Sequence, residues 1–263
     1  MMTEQPQILN YKQIGNGENI LLIHGLFGTL ENLNMIAKPL AEKYCVTSVD
    51  VRNHGDSFHT NTMEYTELAQ DIINLLDHLK IEDCILLGHS MGGKIAIQVA
   101  LEQPKRIKKL LVADIAPVNY PPHHLKIIEG LQAIDLTKVI RRKDADMQLT
   151  PYVDNVGVRQ FLLRNLAVDP NGQYTFRCSI DDISLCYPQV MKAIELPNNR
   201  IAYQGKTLFI KGGDSDYILS DHREAIAKLL PNSKAKVIQG AGHWLHAEKT
   251  IAFNKIVFDF IRN

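Results

Sequence analysis

A chain of 263 residues exceeds the usual single-domain length of roughly 100–200 residues, yet one α/β sheet carrying an insertion accommodates it. Its 29 Lys and Arg balance 29 Asp and Glu, so no uniform field draws in a polyanion or an acidic membrane surface, and nucleic-acid binding is not expected. At 45% hydrophobic and 22% charged residues a disordered or fibrous chain is excluded. No apolar run reaches the ~18 residues of a membrane span and Met1 to Gln7 lack the apolar core of a secretion signal, which together predict a cytoplasmic location. Cys45, Cys84, Cys178 and Cys186 show no CxxC spacing and read as small buried hydrophobes rather than disulfide or zinc partners.

In chain order, short apolar runs recur at Ile20–Ile23, Val46–Val51, Cys84–Leu87, Lys109–Ile115, Thr207–Ile210 and Ala235–Ile238. Apolar on both faces, such strands belong to a parallel sheet covered by helices on each side. Leu68, Ile72, Leu75, Leu76 and Leu79 share one helical stripe, and Phe253, Ile256, Val257, Phe260 and Ile261 repeat it near the C-terminus. Between Pro117 and about Arg200 the alternation stops. Pro121, Pro122, Pro151, Pro170 and Pro197 punctuate helix-like stretches there, with no strong strand run. The expectation is a core of residues 1–116 and 199–263 with a helical insertion, 117–198, leaving from the carboxyl end of a strand, where open α/β sheets bind ligands.

The strongest chemical signal is Gly88-His89-Ser90-Met91-Gly92, a GxSxG between a strand and a helical stretch from Gly93 to Leu101. Its glycines permit a sharp turn that exposes Ser90 as a nucleophile, and the helix starting there aims N–H groups at a developing oxyanion. His24-Gly25-Leu26-Phe27-Gly28 follows the first strand and offers the second half of an oxyanion hole; the expected donors are the Leu26 and Met91 amides, with His24 bracing the loop. A serine needs a base at neutral pH, and His243, in Gly240-Ala241-Gly242-His243-Trp244 after the last strand, is the candidate. His246 is expected at the surface or behind His243, and neither this pair nor His123-His124 has metal-ligand spacing. Two acids compete. Asp216 lies just after Gly213, the common location of an orienting acid. Asp114, in Val112-Ala113-Asp114-Ile115, is a carboxylate in an apolar strand that burial would destabilise by several kcal/mol unless a partner such as His243 met it, and it is preferred. Arg141, Arg142, Lys143, Arg159 and Arg164 in the insertion are candidates for meeting a phosphorylated leaving group, or are simply solvated helix faces. No GxGxxG after a strand and no GxxxxGK[ST] loop is present, so no cofactor is expected.

With these residues in hand, nearly the whole chain resembles the bacterial YbfF-type esterases of the α/β-hydrolase superfamily. The likeness rests on His24–Gly28, Asp50-Val51-Arg52-Asn53-His54-Gly55, Gly88–Lys94, Asp114-Ile115-Ala116-Pro117-Val118, and Gly240–Trp244 with His246-Ala247-Glu248-Lys249. It implies a mostly parallel sheet with a small helical lid. It also implies Ser90 as nucleophile, His243 as base, Asp114 as an orienting acid from an unusual strand, and a small-molecule acyl ester or thioester as substrate, short to medium in chain length, acyl-CoA included. An aspartate at position 216 departs from the family pattern, and the Asp50–Gly55 stretch reads as a structural turn. The same constellation also serves carbon–carbon hydrolases, lyases, perhydrolases and slow-turnover ligand receptors.

Overall fold

The computed structural model describes residues 6–196 and 200–263. Nine strands are numbered in chain order: β1 (Tyr11–Ile14), β2 (Glu18–Ile23), β3 (Tyr44–Val49), β4 (Cys84–His89), β5 (Ile107–Ala113), β6 (Leu166–Val168), β7 (Tyr174–Phe176), β8 (Lys206–Gly212) and β9 (Ser233–Ile238). The helices are α1 (Asn34–Leu40), α2 (Tyr65–His78), α3 (Met91–Glu102), α4 (Leu125–Gln132), α5 (Arg142–Leu149), α6 (Val156–Leu162), α7 (Ile180–Met191), α8 (Arg223–Leu229), α9 (Leu245–Glu248) and α10 (Thr250–Arg262).

Seven strands form one sheet in the order β1-β3-β2-β4-β5-β8-β9, parallel throughout except for β1. Alternation along each strand divides the apolar side chains between two cores. Leu21, Ile23, Leu86, Leu110 and Val112 join α2 and α3 on one face; Ile20, Leu22, Ile85, Leu87 and Leu111 join α1 and α10 on the other. This two-sided burial is why the central strands read as continuous apolar runs. The edges read differently. β1 is a four-residue strand with both middle residues exposed, so it leaves no apolar run, and β9 is exposed over most of its length although its apolar residues suggested a covered strand.

From β2 the chain steps to β3 on one side and then returns to place β4 on the other, so the crossover direction reverses between β2 and β4. Crevices of open α/β sheets lie at that switch, beyond the carboxyl ends of the strands. Between β5 and β8 the chain leaves the sheet to form α4 to α7 and, contrary to the expectation of helices alone, a hairpin of β6 and β7. Its turn is Asp169-Pro170-Asn171-Gly172, closed by the Gly172 N–H on the Asp169 carbonyl at 2.9 Å, with Gly172 at φ +82. The neck of the insertion is stapled by backbone bonds, Tyr120 to Met191 at 2.9 Å and Ile194 to Pro117 at 3.3 Å. The expected end of the insertion at residue 198 lies outside the described residues.

Candidate active site

Ser90 stands at a sharp bend of the main chain, φ +54 and ψ −123, between β4 and α3. The bend closes only with glycine on either side: a Cβ on Gly88 would lie 2.0 Å from the Gly92 carbonyl oxygen, and one on Gly92 would lie 2.3 Å from that of Ile23. Strain of this kind persists where the surroundings over-determine it, and here the Ser90 N–H continues the β4–β5 ladder to the Ala113 carbonyl at 2.9 Å while its own carbonyl accepts from Gly93 at 2.7 Å. Asp114 extends β5 past its last ladder residue, with φ +51 and its N–H on the Ile210 carbonyl at 2.8 Å.

These segments bring three side chains together. His243 Nε2 lies 2.9 Å from Ser90 Oγ, and His243 Nδ1 lies 2.8 Å from Asp114 Oδ2. Asp114 is fully buried, and its carboxylate also accepts from the Gly212 N–H at 2.9 Å and from the Ser215 hydroxyl. Asp216 is exposed and makes no hydrogen bond to His243. The loop after β8 supplies Ser215 to the buried carboxylate rather than an acid to the histidine. Sequence reasoning missed that serine because Gly213-Asp214-Ser215-Asp216 reads as an ordinary solvated turn.

The second loop is braced by two histidines. His24 donates from Nδ1 to the Gly25 carbonyl at 2.7 Å and accepts the Val51 N–H at Nε2, 3.0 Å away, as a bracing role requires. His54 donates to the Arg52 carbonyl at 2.9 Å and accepts the Phe27 N–H at 3.0 Å. From the insertion, Asn165 donates to the Phe27 carbonyl at 2.7 Å, so the Phe27 backbone at φ +59 is gripped on both sides. The Leu26 and Met91 N–H groups, beside Ser90, have no acceptor among the described residues. The Asp50–Gly55 stretch is structural: the Asp50 carboxylate accepts from Asn10, Leu30 and Asp56, while Arg52 pairs with Asp71 at 2.6 Å.

Burial depresses the neighbouring histidines below the usual imidazole range: His54 to about 3, His124 and His246 to about 4, with His24 and His89 also lowered. His24, His54, His89 and His124 serve as neutral, directed hydrogen-bonding groups, whereas the buried Nδ1 of His246 has no hydrogen-bond partner among the described residues. His246, expected at the surface or behind His243, is buried behind it, its ring 4.4 Å from that of His89, which donates to the His243 carbonyl at 2.8 Å.

A cavity of about 270 Å³ opens over Ser90. Ile127, Val158, Phe161 and Leu162 of the insertion line it opposite Trp244, the chain's one tryptophan. A larger groove of about 760 Å³ shares Asn32 with it and is lined by Arg142, Lys143, Arg164 and Arg177, with Glu31 and Asp146. Of the cations singled out in the sequence, Arg159 is buried against Asp146 and two backbone carbonyls, and Arg141 lies outside the groove near Asp144. Among the described residues no cluster of three or more metal-ligating side chains occurs, and no helix is long and apolar enough to cross a membrane.

Residues 18–250 match the α/β hydrolase fold family. The chain belongs to that family. It is 37% identical over 250 residues to the mouse sn-1-specific diacylglycerol lipase ABHD11, covering 92% of this chain and 80% of that protein. It is 34% identical to the Escherichia coli esterase YbfF, covering 94% of each. Among solved structures, a marine microorganism esterase superposes with a TM-score of 0.93 at 36% identity, covering 97% of this chain and all of that one.

Proposed function

We propose that this α/β hydrolase is a serine esterase that hydrolyses short- to medium-chain acyl esters and thioesters through an acyl-enzyme on Ser90. The observation that carries the reading is the continuous hydrogen-bonded line from Ser90 Oγ through both nitrogens of His243 to Asp114. The named relatives, an esterase and a lipase, support an ester bond as the target. Residues 117–198 act as the lid over the cavity.

Ser90 donates its proton to His243 Nε2 as its oxygen attacks the substrate carbonyl. Asp114 accepts a hydrogen bond from Nδ1–H and holds the tautomer in which Nε2 is free to act as base. The Leu26 and Met91 amides point to the oxygen that becomes negative, where each donor is worth about 3 kcal/mol in comparable sites. The protonated His243 then gives its proton to the departing alkoxide or thiolate. A water, deprotonated by the same nitrogen, releases the acid and restores Ser90.

The cavity under the lid suits an apolar acyl or alcohol group. The adjoining groove, with its four cationic side chains, supports a phosphorylated leaving group such as coenzyme A as the second substrate class. An activity panel of aryl esters and acyl-CoA thioesters of two to twelve carbons, run beside Ser90→Ala, tests this. Turnover of both classes that disappears in Ser90→Ala is expected. Ser90 labelling by a fluorophosphonate without turnover of either class overturns it in favour of a receptor.

A further inference from the structure

Tyr217 takes no part in the proton transfers, yet it is the side chain laid flat on the base. Its ring and the His243 imidazole have centroids 3.7 Å apart and planes within 15° of parallel. In-plane bonds from Nδ1 and Nε2 fix where the two nitrogens lie but leave the ring free to tip about the line joining them, and a flat face against it removes that freedom. The His89 ring is 4.9 Å from His243 at 41°, a tilted contact that does not set the plane.

Tyr217 is itself held from two directions. Its N–H reaches the Ser215 hydroxyl at 3.3 Å, its carbonyl accepts from the Tyr120 hydroxyl, and Ser215 donates to Asp114, so the ring is referenced to the same carboxylate that holds the imidazole. Its Oη lies 3.2 Å from His124 Nε2, and His124 meets Tyr187 Oη through both Nδ1 and the backbone N–H at 2.9 Å. His124 and Tyr187 belong to the insertion. With His124 neutral, either tautomer ties the insertion to Tyr217: Tyr187 donates to Nδ1 while Nε2–H donates to Tyr217, or Nδ1–H donates to Tyr187 while the Tyr217 hydroxyl donates to Nε2.

We propose that Tyr217 is a positioning residue for His243 and that His124 of the insertion sets Tyr217, so that correct seating of the insertion is transmitted to the face of the base. This rests on the assignment of His243 as base. A ring tipped by an ångström loses the aligned attack geometry, which in comparable cases costs about 10²-fold in rate.

The test measures kcat and KM for an aryl acetate, and the rate of Ser90 labelling by a fluorophosphonate, in Tyr217→Leu, Tyr217→Phe, His124→Leu and the double variant Tyr217→Phe/His124→Leu. Tyr217→Leu should lower kcat roughly 30-fold or more with KM within about threefold, and slow labelling in proportion. Tyr217→Phe keeps the stack and loses the tie, and His124→Leu loses the same tie. Each should cost about fivefold, and the double variant should be no slower than either alone, because one contact is removed twice. Wild-type kcat and labelling in folded Tyr217→Leu overturns the positioning role, and so do independent, multiplying losses in the double variant. If Tyr217→Leu does not fold, the cycle on the other three variants decides. Ser90→Ala and His243→Ala separate two failures. If either keeps full turnover, the assignment of the site is wrong and this role falls with it; if both are inactive while Tyr217→Leu is unimpaired, only the positioning role falls.

Discussion

Asp114 is a carboxylate without solvent, and three donors take the place of water around it: the Gly212 amide, the Ser215 hydroxyl and His243 Nδ1. Removing the negative charge leaves the imidazole in the wrong tautomer, so Asp114→Asn should lower kcat by roughly 10⁴ with KM little changed, whereas Asp216→Asn should stay within about twofold of the parent. Steady-state hydrolysis of an aryl ester by the two variants checks this, and the opposite ranking would move the acid to Asp216. Ser215→Ala takes one donor from the carboxylate and should reduce kcat by roughly tenfold, about the worth of one hydrogen bond to a charged group. The desolvation argument for Asp114 was legible because a lone acid among Val, Ala and Ile is hard to explain otherwise. Ser215 and Tyr217 were not, since a serine and a tyrosine in a polar turn break no rule of composition.

At the scale of elements, the site is built from five strand ends and one distant insertion. The carboxyl ends of β2, β4, β5 and β8 were readable as apolar runs followed by Gly-rich or polar loops, because central parallel strands bury both faces, while the end of β9, an exposed edge strand, was readable from the Gly240–Trp244 loop that follows it. β1 and the β6–β7 hairpin were not, being three or four residues long and only partly covered. Loop His24–Gly28 was readable as a motif, but what grips it was not: Asn165 lies 138 residues away in sequence and His54 sits in a turn that reads as scaffolding. Phe27 at φ +59 is unfavourable for a side chain of that size, so its two bonds must outweigh the strain. Asn165→Ala should therefore lower kcat by about tenfold through the Leu26 amide while thermal stability falls only modestly, measured by kcat on an aryl ester beside the melting temperature. A normal kcat in Asn165→Ala would show that the loop keeps its shape without the insertion.

For the whole molecule, the buried cations and histidines set how stability follows pH. His54, His89, His124 and His246 have pKa values in the folded state pushed below the ordinary 6.5, chiefly by desolvation. On unfolding below that value each takes up a proton, so the unfolded chain binds more protons and stability falls as pH drops from about 6.5 toward 4. Lys94 adds a second window. It is buried between Tyr65 and Tyr120 with Nζ on the Lys192 carbonyl at 2.6 Å, and desolvation lowers it from 10.5 to about 7. Its penalty is therefore full below about 7 and fades as pH rises toward 10.5, where both states are neutral. Lys94→Met should melt higher than the parent at pH 6, with the gain shrinking by pH 9.5; a gain independent of pH would assign the effect to packing alone.

The central claim is that acyl transfer runs through one serine activated by one histidine. Intact-mass and peptide mass spectrometry of the enzyme treated with a fluorophosphonate measures it most directly. The account predicts a single adduct on the peptide bearing Ser90, its formation nearly abolished in His243→Ala, and ester hydrolysis lost in step with labelling. An adduct on another residue, or full hydrolysis by an enzyme whose Ser90 is blocked, would contradict it.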